Sequence, residues 1–147
     1  MNLKLTTKLD RMFRRSSHEE SIVLWSVLRS AIGRHVIRSR FVDARAHRDL
    51  QDWEFLWDAL AWSDELLTRL SRGEWIQEQG PCWLLCDRAK NQAWVMDPQG
   101  DNEALPLDTY VIGTDSRTHC FVSPHEEHLG PWIIEFSEHE VNHLKAL

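Results

Sequence analysis

The spacing of apolar residues changes at Gly80 and Pro81, and this change constrains the fold more than any other feature of the 147-residue sequence. Before it, apolar residues recur three, four or seven positions apart, which is typical of amphipathic helices. After it, short apolar runs alternate with turn-forming segments, which is typical of β-strands. We therefore predict the α+β class, with N-terminal helices packed on a C-terminal antiparallel sheet.

Three helices are predicted in residues 1–73. The first is a short amphipathic helix with a basic stripe. The second follows two overlapping Ser-x-x-Glu capping boxes and is expected to run for about fifteen residues and to end at Gly33. The third is the longest, from Asp49 to Ser71, with Gly73 as its stop signal.

About five strands are predicted between residues 82 and 136, and a terminal helix over residues 138–146. The first two strands are joined by a polar segment and predict a β-hairpin. Ser137 and Glu140 form another capping box, which marks the start of the terminal helix. No linker divides these elements, so we expect residues 1–147 to form a single domain.

The charges are distributed unevenly along the chain, whose net charge is −6. Residues 1–48 carry a net +7, whereas residues 49–147 carry a net −13. An acidic surface disfavours nucleic acid and favours a basic protein partner, although both charge sets could instead simply solvate helices. The candidate partner contacts are five acidic loop residues and two aromatic anchors: Asp101, Glu103, Asp115, Glu126, Glu127, Trp62 and Trp75.

The strongest nucleic-acid footprint is a basic stretch within residues 29–48, with Phe41 as its one interleaved aromatic residue. It carries no helix-turn-helix or RNA-binding signature, so nucleic acid is not the predicted partner. A further alternative is an adaptor or regulator that binds its partner through the basic N-terminal helices. The apolar stretch at residues 21–28 is unlike a signal peptide, because Glu19 and Glu20 directly precede it and no small-residue cleavage site follows Arg29. No stretch approaches the length of a membrane span. An odd set of three cysteines agrees with a cytoplasmic protein.

Residues 139–143 match the pattern His-Glu-x-x-His. In this pattern two imidazoles one helical turn apart bind zinc, and the carboxylate activates a water molecule. The motif resembles that of the zincin metalloproteases, which implies Glu140 as base and His139 and His143 as zinc ligands. The third ligand would have to come from upstream, from His125, Glu127 or His128. A zinc-dependent hydrolase is therefore one alternative function.

A second alternative is an acyl-transfer enzyme built on Cys82. The Cys-Trp pair at this position resembles the nucleophile of papain-like and transglutaminase-like enzymes, which implies His119 as base and Asp97 or Asp115 as its orienting carboxylate. This chemistry needs Cys82 at a helix N-terminus, where its pKa would fall. The hairpin pattern instead places Cys82 at the start of a strand.

Another metal set is conceivable near the loop that follows the fourth predicted strand. Its members would be His119, Cys120, His125 and His128. Their spacing matches no recognised zinc module, and an acidic, pH-sensitive surface loop accounts for the same residues.

The segment from about residue 82 to residue 136 contains short aromatic strands, closed by Phe121-Val122-Ser123-Pro124-His125-Glu126-Glu127 and by Gly130-Pro131-Trp132. It resembles small bacterial α+β domains, some of which accompany polymorphic toxins as immunity proteins. The resemblance implies a cytoplasmic protein that binds a toxin domain and blocks it, without catalytic residues or a cofactor. A non-enzymatic inhibitor of a cognate toxin is therefore our leading functional hypothesis.

Overall fold

A computed structural model describes residues 3–38, 68–86, 89, 91–97, 109–123 and 131–147. The described residues form four helices, which are α1 (Leu3–Met12), α2 (His18–Arg38), α3 (Arg72–Gln79) and α4 (Glu138–Lys145). They also form six strands, which are β1 (Arg14–Arg15), β2 (Cys82–Cys86), β3 (Trp94–Met96), β4 (Thr109–Gly113), β5 (His119–Ser123) and β6 (Trp132–Glu135). The predicted α+β class is confirmed, with six strands where about five were expected.

The strands form one sheet in the order β1-β3-β2-β4-β5-β6, and every neighbouring pair is antiparallel. The predicted hairpin is confirmed, because Trp83 of β2 lies opposite Val95 of β3. The extra strand is β1, which adds two residues to the edge of the sheet beside β3. A strand of two residues is too short to produce the alternation by which strands are recognised in a sequence.

Helices cover both faces of the sheet. Trp83 and Leu85 of β2 point into a core formed with α2 and α4. Cys82, Leu84 and Cys86 alternate with them and point into a second core, formed with α1 and α3. Because both faces are buried, the central strands are apolar at consecutive positions and do not alternate between apolar and polar residues.

The second helix starts where the sequence predicts but runs further. The Ser17 hydroxyl accepts a hydrogen bond from the Glu20 backbone N–H at 3.1 Å, so the second of the two overlapping boxes caps α2. The predicted end at Gly33 is wrong, since α2 continues to Arg38 with Gly33 buried inside it. A glycine costs a helix only about 1 kcal/mol, which the contacts of the next residue, Arg34, offset. None of the described helices is long and apolar enough to cross a membrane.

The third predicted helix lies mostly outside the described residues, but its C-terminal end can be compared. Residues 68–71 are not helical. Ser71 instead caps α3, with its hydroxyl accepting from the Glu74 N–H at 3.1 Å and its own N–H donating to the Glu74 carboxylate at 3.3 Å. Gly73, predicted as a stop signal, lies in the first turn of α3. The helix ends at Gly80, whose φ of 78° is readily adopted only by glycine.

Candidate functional site

Cys82 follows the Gly80-Pro81 turn at the start of β2, and no helix N-terminus precedes its thiol. The side chain is fully buried, and its Sγ donates to the Gly80 carbonyl at 3.2 Å. Burial raises the pKa of Cys82 to about 12, and the negative charge of Asp115 contributes to the rise. The thiol therefore stays protonated at neutral pH, which is unfavourable for a nucleophile.

The structure brings Asp115 near Cys82, but it does not bring the predicted base His119 or the other carboxylate, Asp97, to the thiol. His119 lies on β5, and β4 separates it from β2, so the two backbones are two strand spacings or roughly 10 Å apart. The His119 Nδ1 lies 2.9 Å from the Thr118 hydroxyl. Asp97 follows β3, on the other side of β2 from His119. Proton transfer needs contacts of about 3 Å, and the fold does not supply them here.

The His-Glu-x-x-His motif lies on α4, where its two histidines share one exposed side of the helix. The Nε2 atoms of His139 and His143 are 3.2 Å apart. Their ring centroids are 4.5 Å apart and their planes are inclined by 70°. The sequence spacing thus correctly places the two imidazoles together.

Glu140, between the two histidines in sequence, points into the protein and is only 2% exposed. Its Oε1 accepts from the Arg34 guanidinium at 2.6 Å and from the Ser137 N–H at 2.8 Å. Its Oε2 accepts from the Ser30 hydroxyl at 2.6 Å and from Arg34 Nε at 3.2 Å. Both carboxylate oxygens are thus committed to joining α4 to α2.

Two opposing effects act on the pKa of Glu140. Burial of the carboxylate raises the pKa, but hydrogen bonds from Arg34, Ser30 and the Ser137 N–H favour the charged form and hold it below its ordinary value. A general base at a zinc site must face the metal-bound water and exchange a proton with it. Glu140 faces α2 instead and is held ionised, so its geometry favours a structural role.

Two arginines of the predicted basic stretch also serve the fold. Besides its contacts with Glu140, Arg34 donates to the Glu135 carbonyl on the edge strand β6 at 3.1 Å. Arg29 donates to the Asn91 side chain in the β2–β3 loop at 3.1 Å. Two of the basic residues in the stretch 29–48 thus bind groups within the protein, so their presence does not require a nucleic-acid partner.

Arg117 fixes the other end of α4, a role that no motif in the sequence indicates. Its guanidinium donates to the Leu144 carbonyl at 2.6 Å and lies 4.9 Å from the ring centroid of Trp83. A cation at a helix C-terminus is stabilised by the unpaired carbonyls there. The signal for this role is weak in a sequence, because Arg117 is 27 residues from its helical partner and adopts a left-handed φ of 54°.

The second proposed metal set is divided by the sheet. Cys120 points into the core with α2 and α4, whereas His119 precedes it on the strand and therefore points to the other face. These two side chains cannot ligate one ion, and His125 and His128 lie outside the described residues. Among the residues that the structure describes, no group of three or more His, Cys, Asp or Glu could hold a metal ion.

The predicted partner contacts are only partly described. Asp115 is exposed in the turn between β4 and β5. Trp75 is only 3% exposed and packs against Phe121 at a centroid distance of 5.7 Å, so it belongs to the core and cannot act as a surface anchor. The remaining predicted contacts lie outside the described residues and are Asp101, Glu103, Glu126, Glu127 and Trp62.

Comparisons of the chain with protein-family models, curated proteins and solved structures give no match. Among the described candidate residues, Cys82, Glu140 and Trp75 are buried and serve the fold. Asp115, His139 and His143 are exposed. These three residues are thus accessible to a partner or a ligand at the surface.

Proposed function

We propose that this protein acts by binding another protein, as a non-enzymatic inhibitor of a basic cognate toxin in the bacterial cytoplasm. The observation that carries the proposal is the position of Glu140, whose two oxygens bind Arg34, Ser30 and Ser137. The carboxylate that would activate water in a zinc hydrolase joins two helices instead. Cys82, the nucleophile of the other enzymatic alternative, is buried and protonated.

The charge distribution supports a basic partner. Residues 49–147 carry a net −13, and Asp115 presents one of these charges at the surface. Complementary charge accelerates encounter between proteins and disfavours unsuitable partners. The resemblance of residues 82–136 to immunity domains supports the inhibitor role, and three free, buried thiols agree with a reducing compartment.

A growth assay tests the proposal. The product of the gene next to this one is expressed in a bacterial host alone and together with the protein. We expect the neighbouring product to arrest growth when alone and this protein to restore growth. Reversing three of the five acidic contacts together, with Asp115→Lys, Glu126→Lys and Glu127→Lys, should weaken rescue, because association slows when complementary charges are lost.

Glu19→Lys provides the matched control. Glu19 is exposed in the first turn of α2, in the basic half of the chain, and the substitution makes the same change of charge at one position. We expect Glu19→Lys to rescue growth like the wild type. Rescue that is equally strong with the reversed set would contradict the acidic-surface mechanism, and a neighbouring product that stays toxic would contradict the inhibitor role.

A further inference from the structure

The imidazoles of His139 and His143 meet at their Nε2 atoms on the exposed side of α4. Their Nε2 atoms are 3.2 Å apart, and both side chains are exposed. A zinc–imidazole bond is about 2.0–2.1 Å long, so one ion bonded to both atoms would subtend an angle of about 100–106°. This N–metal–N angle is near the tetrahedral value, so the separation of the two Nε2 atoms suits chelation of one ion.

The backbone that carries the pair is fixed at both ends. Ser137 and Glu140 form the capping box at the start of α4, and Glu140 is tied to α2 by Arg34. At the other end Arg117 donates to the Leu144 carbonyl at 2.6 Å. Because the helix already holds the two ligands in place, ion binding does not have to order the backbone, and this favours binding.

We propose that His139 and His143 bind one divalent transition-metal ion of the kind that imidazole prefers, such as Zn²⁺ or Cu²⁺. The two Nε2 atoms supply two ligands, and water fills the remaining positions, which face solvent. Cu²⁺ binds more tightly than Zn²⁺ by the usual order of divalent ions, and Mg²⁺ and Ca²⁺ do not bind because they prefer oxygen ligands. Glu140 supports the helix and does not touch the ion.

The distance of 3.2 Å also fits a hydrogen bond between one protonated and one unprotonated Nε2. The two arrangements respond differently to metal. A chelate loses most of its affinity when either ring is removed, whereas a simple hydrogen bond gives no ion-binding step that depends on both rings.

The experiment is calorimetric titration of the tag-free full-length protein with ZnCl₂ and with CuCl₂. The variants are His139→Ala, His143→Ala and the double variant, with His18→Ala as the control because His18 is an exposed histidine on another helix. All three positions are exposed, and equal melting temperatures of the four variants and the wild type in chelator will show that the fold is intact.

We expect the double variant to bind one ion fewer than the wild type, and each single variant to lose more than about tenfold in affinity at that site, because one of two protein bonds is gone. His18→Ala should leave the site unchanged. Equal stoichiometry and affinity in the wild type and the double variant would overturn the proposal. Equal weakening in His18→Ala would overturn it as well, because binding would then be diffuse.

Discussion

Replacing Glu140 by Gln tests the structural role assigned to the buried carboxylate. Four hydrogen bonds reach this side chain, two from Arg34 and one each from Ser30 and the Ser137 N–H. The amide of Gln has nearly the same shape but only one acceptor oxygen. The NH₂ group of Gln must therefore face a hydrogen-bond donor that the Glu140 carboxylate accepts from in the wild type. Arg34 also loses its counter-charge.

The expected cost follows from these contacts. A hydrogen bond to a charged group contributes roughly 1.5–3 kcal/mol, and removing one partner of a buried ion pair costs roughly 3–5 kcal/mol. The cost should fall toward the lower range here, because the Arg34 side chain is 31% exposed and water can solvate it. We expect the free energy of unfolding to decrease by about 2–3 kcal/mol, or the melting temperature by roughly 6–9 °C.

Chemical denaturation of the wild type, Glu140→Gln and Glu138→Gln measures this cost. Glu138 is exposed on the same helix, so its substitution should change the stability by less than about 0.5 kcal/mol. The pH dependence provides a second readout. Because the pKa of Glu140 is lowered in the folded state, its stabilisation is full above about pH 5 and is lost as the pH falls.

The difference between wild type and Glu140→Gln should therefore shrink in acid. Equal stabilities of Glu140→Gln and Glu138→Gln at pH 7 would refute the structural role. A difference that grows as the pH falls would refute the sign of the pKa shift.

Three further outcomes are expected. A thiol reagent at pH 7 should label the native protein slowly and the denatured protein fully, since all three cysteines are buried and burial raises the pKa of Cys82 to about 12. Fast labelling would contradict this. Ser71→Ala should lower the free energy of unfolding by about 1 kcal/mol in a denaturation curve, because α3 loses its cap. Asp10→Asn should lower it by about 1 kcal/mol at pH 7 and by less in acid, because a hydrogen bond from Trp94 Nε1 lowers the pKa of Asp10.

The sheet was predictable from the sequence because its strands are apolar runs separated by strong turn signals. The apolar runs predict strands over residues 109–112, 119–122 and 132–135. The last range matches β6, whereas the observed β4 and β5 are each one residue longer than predicted. The coverage of both faces was less evident, although consecutive apolar residues such as Cys82–Cys86 do indicate it. Local patterns identify a strand more reliably than they identify what covers it.

Helix ends were harder to predict, because tertiary contacts decide them. Gly33 is a stop signal in isolation, but Arg34 just beyond it binds Glu140 from the far end of the chain. Ser71 and Glu74 carried a capping-box signal for α3 that the longer apolar period of the preceding segment obscured. At Ser71 the local capping signal was present in the sequence and was followed by the fold. At Gly33 a contact with a distant residue overruled the local stop signal.

The candidate site was predictable in its residue spacing and not in its side-chain directions. The spacing correctly placed His139 and His143 on one side of a helix. It gave no indication that Glu140 faces α2, since that depends on Arg34 and Ser30, more than a hundred residues away. A motif therefore identifies which groups are neighbours, and the fold decides which of them can react.

The most direct test of the proposed function is a titration of the neighbouring gene product with this protein. The toxin's activity is followed as protein is added, and native mass spectrometry records the species formed. An inhibitor predicts that activity falls to zero at one equivalent, with a one-to-one complex and unchanged masses of both chains. Loss of activity at far below one equivalent, with a changed mass of the toxin, would show catalytic turnover and contradict the account.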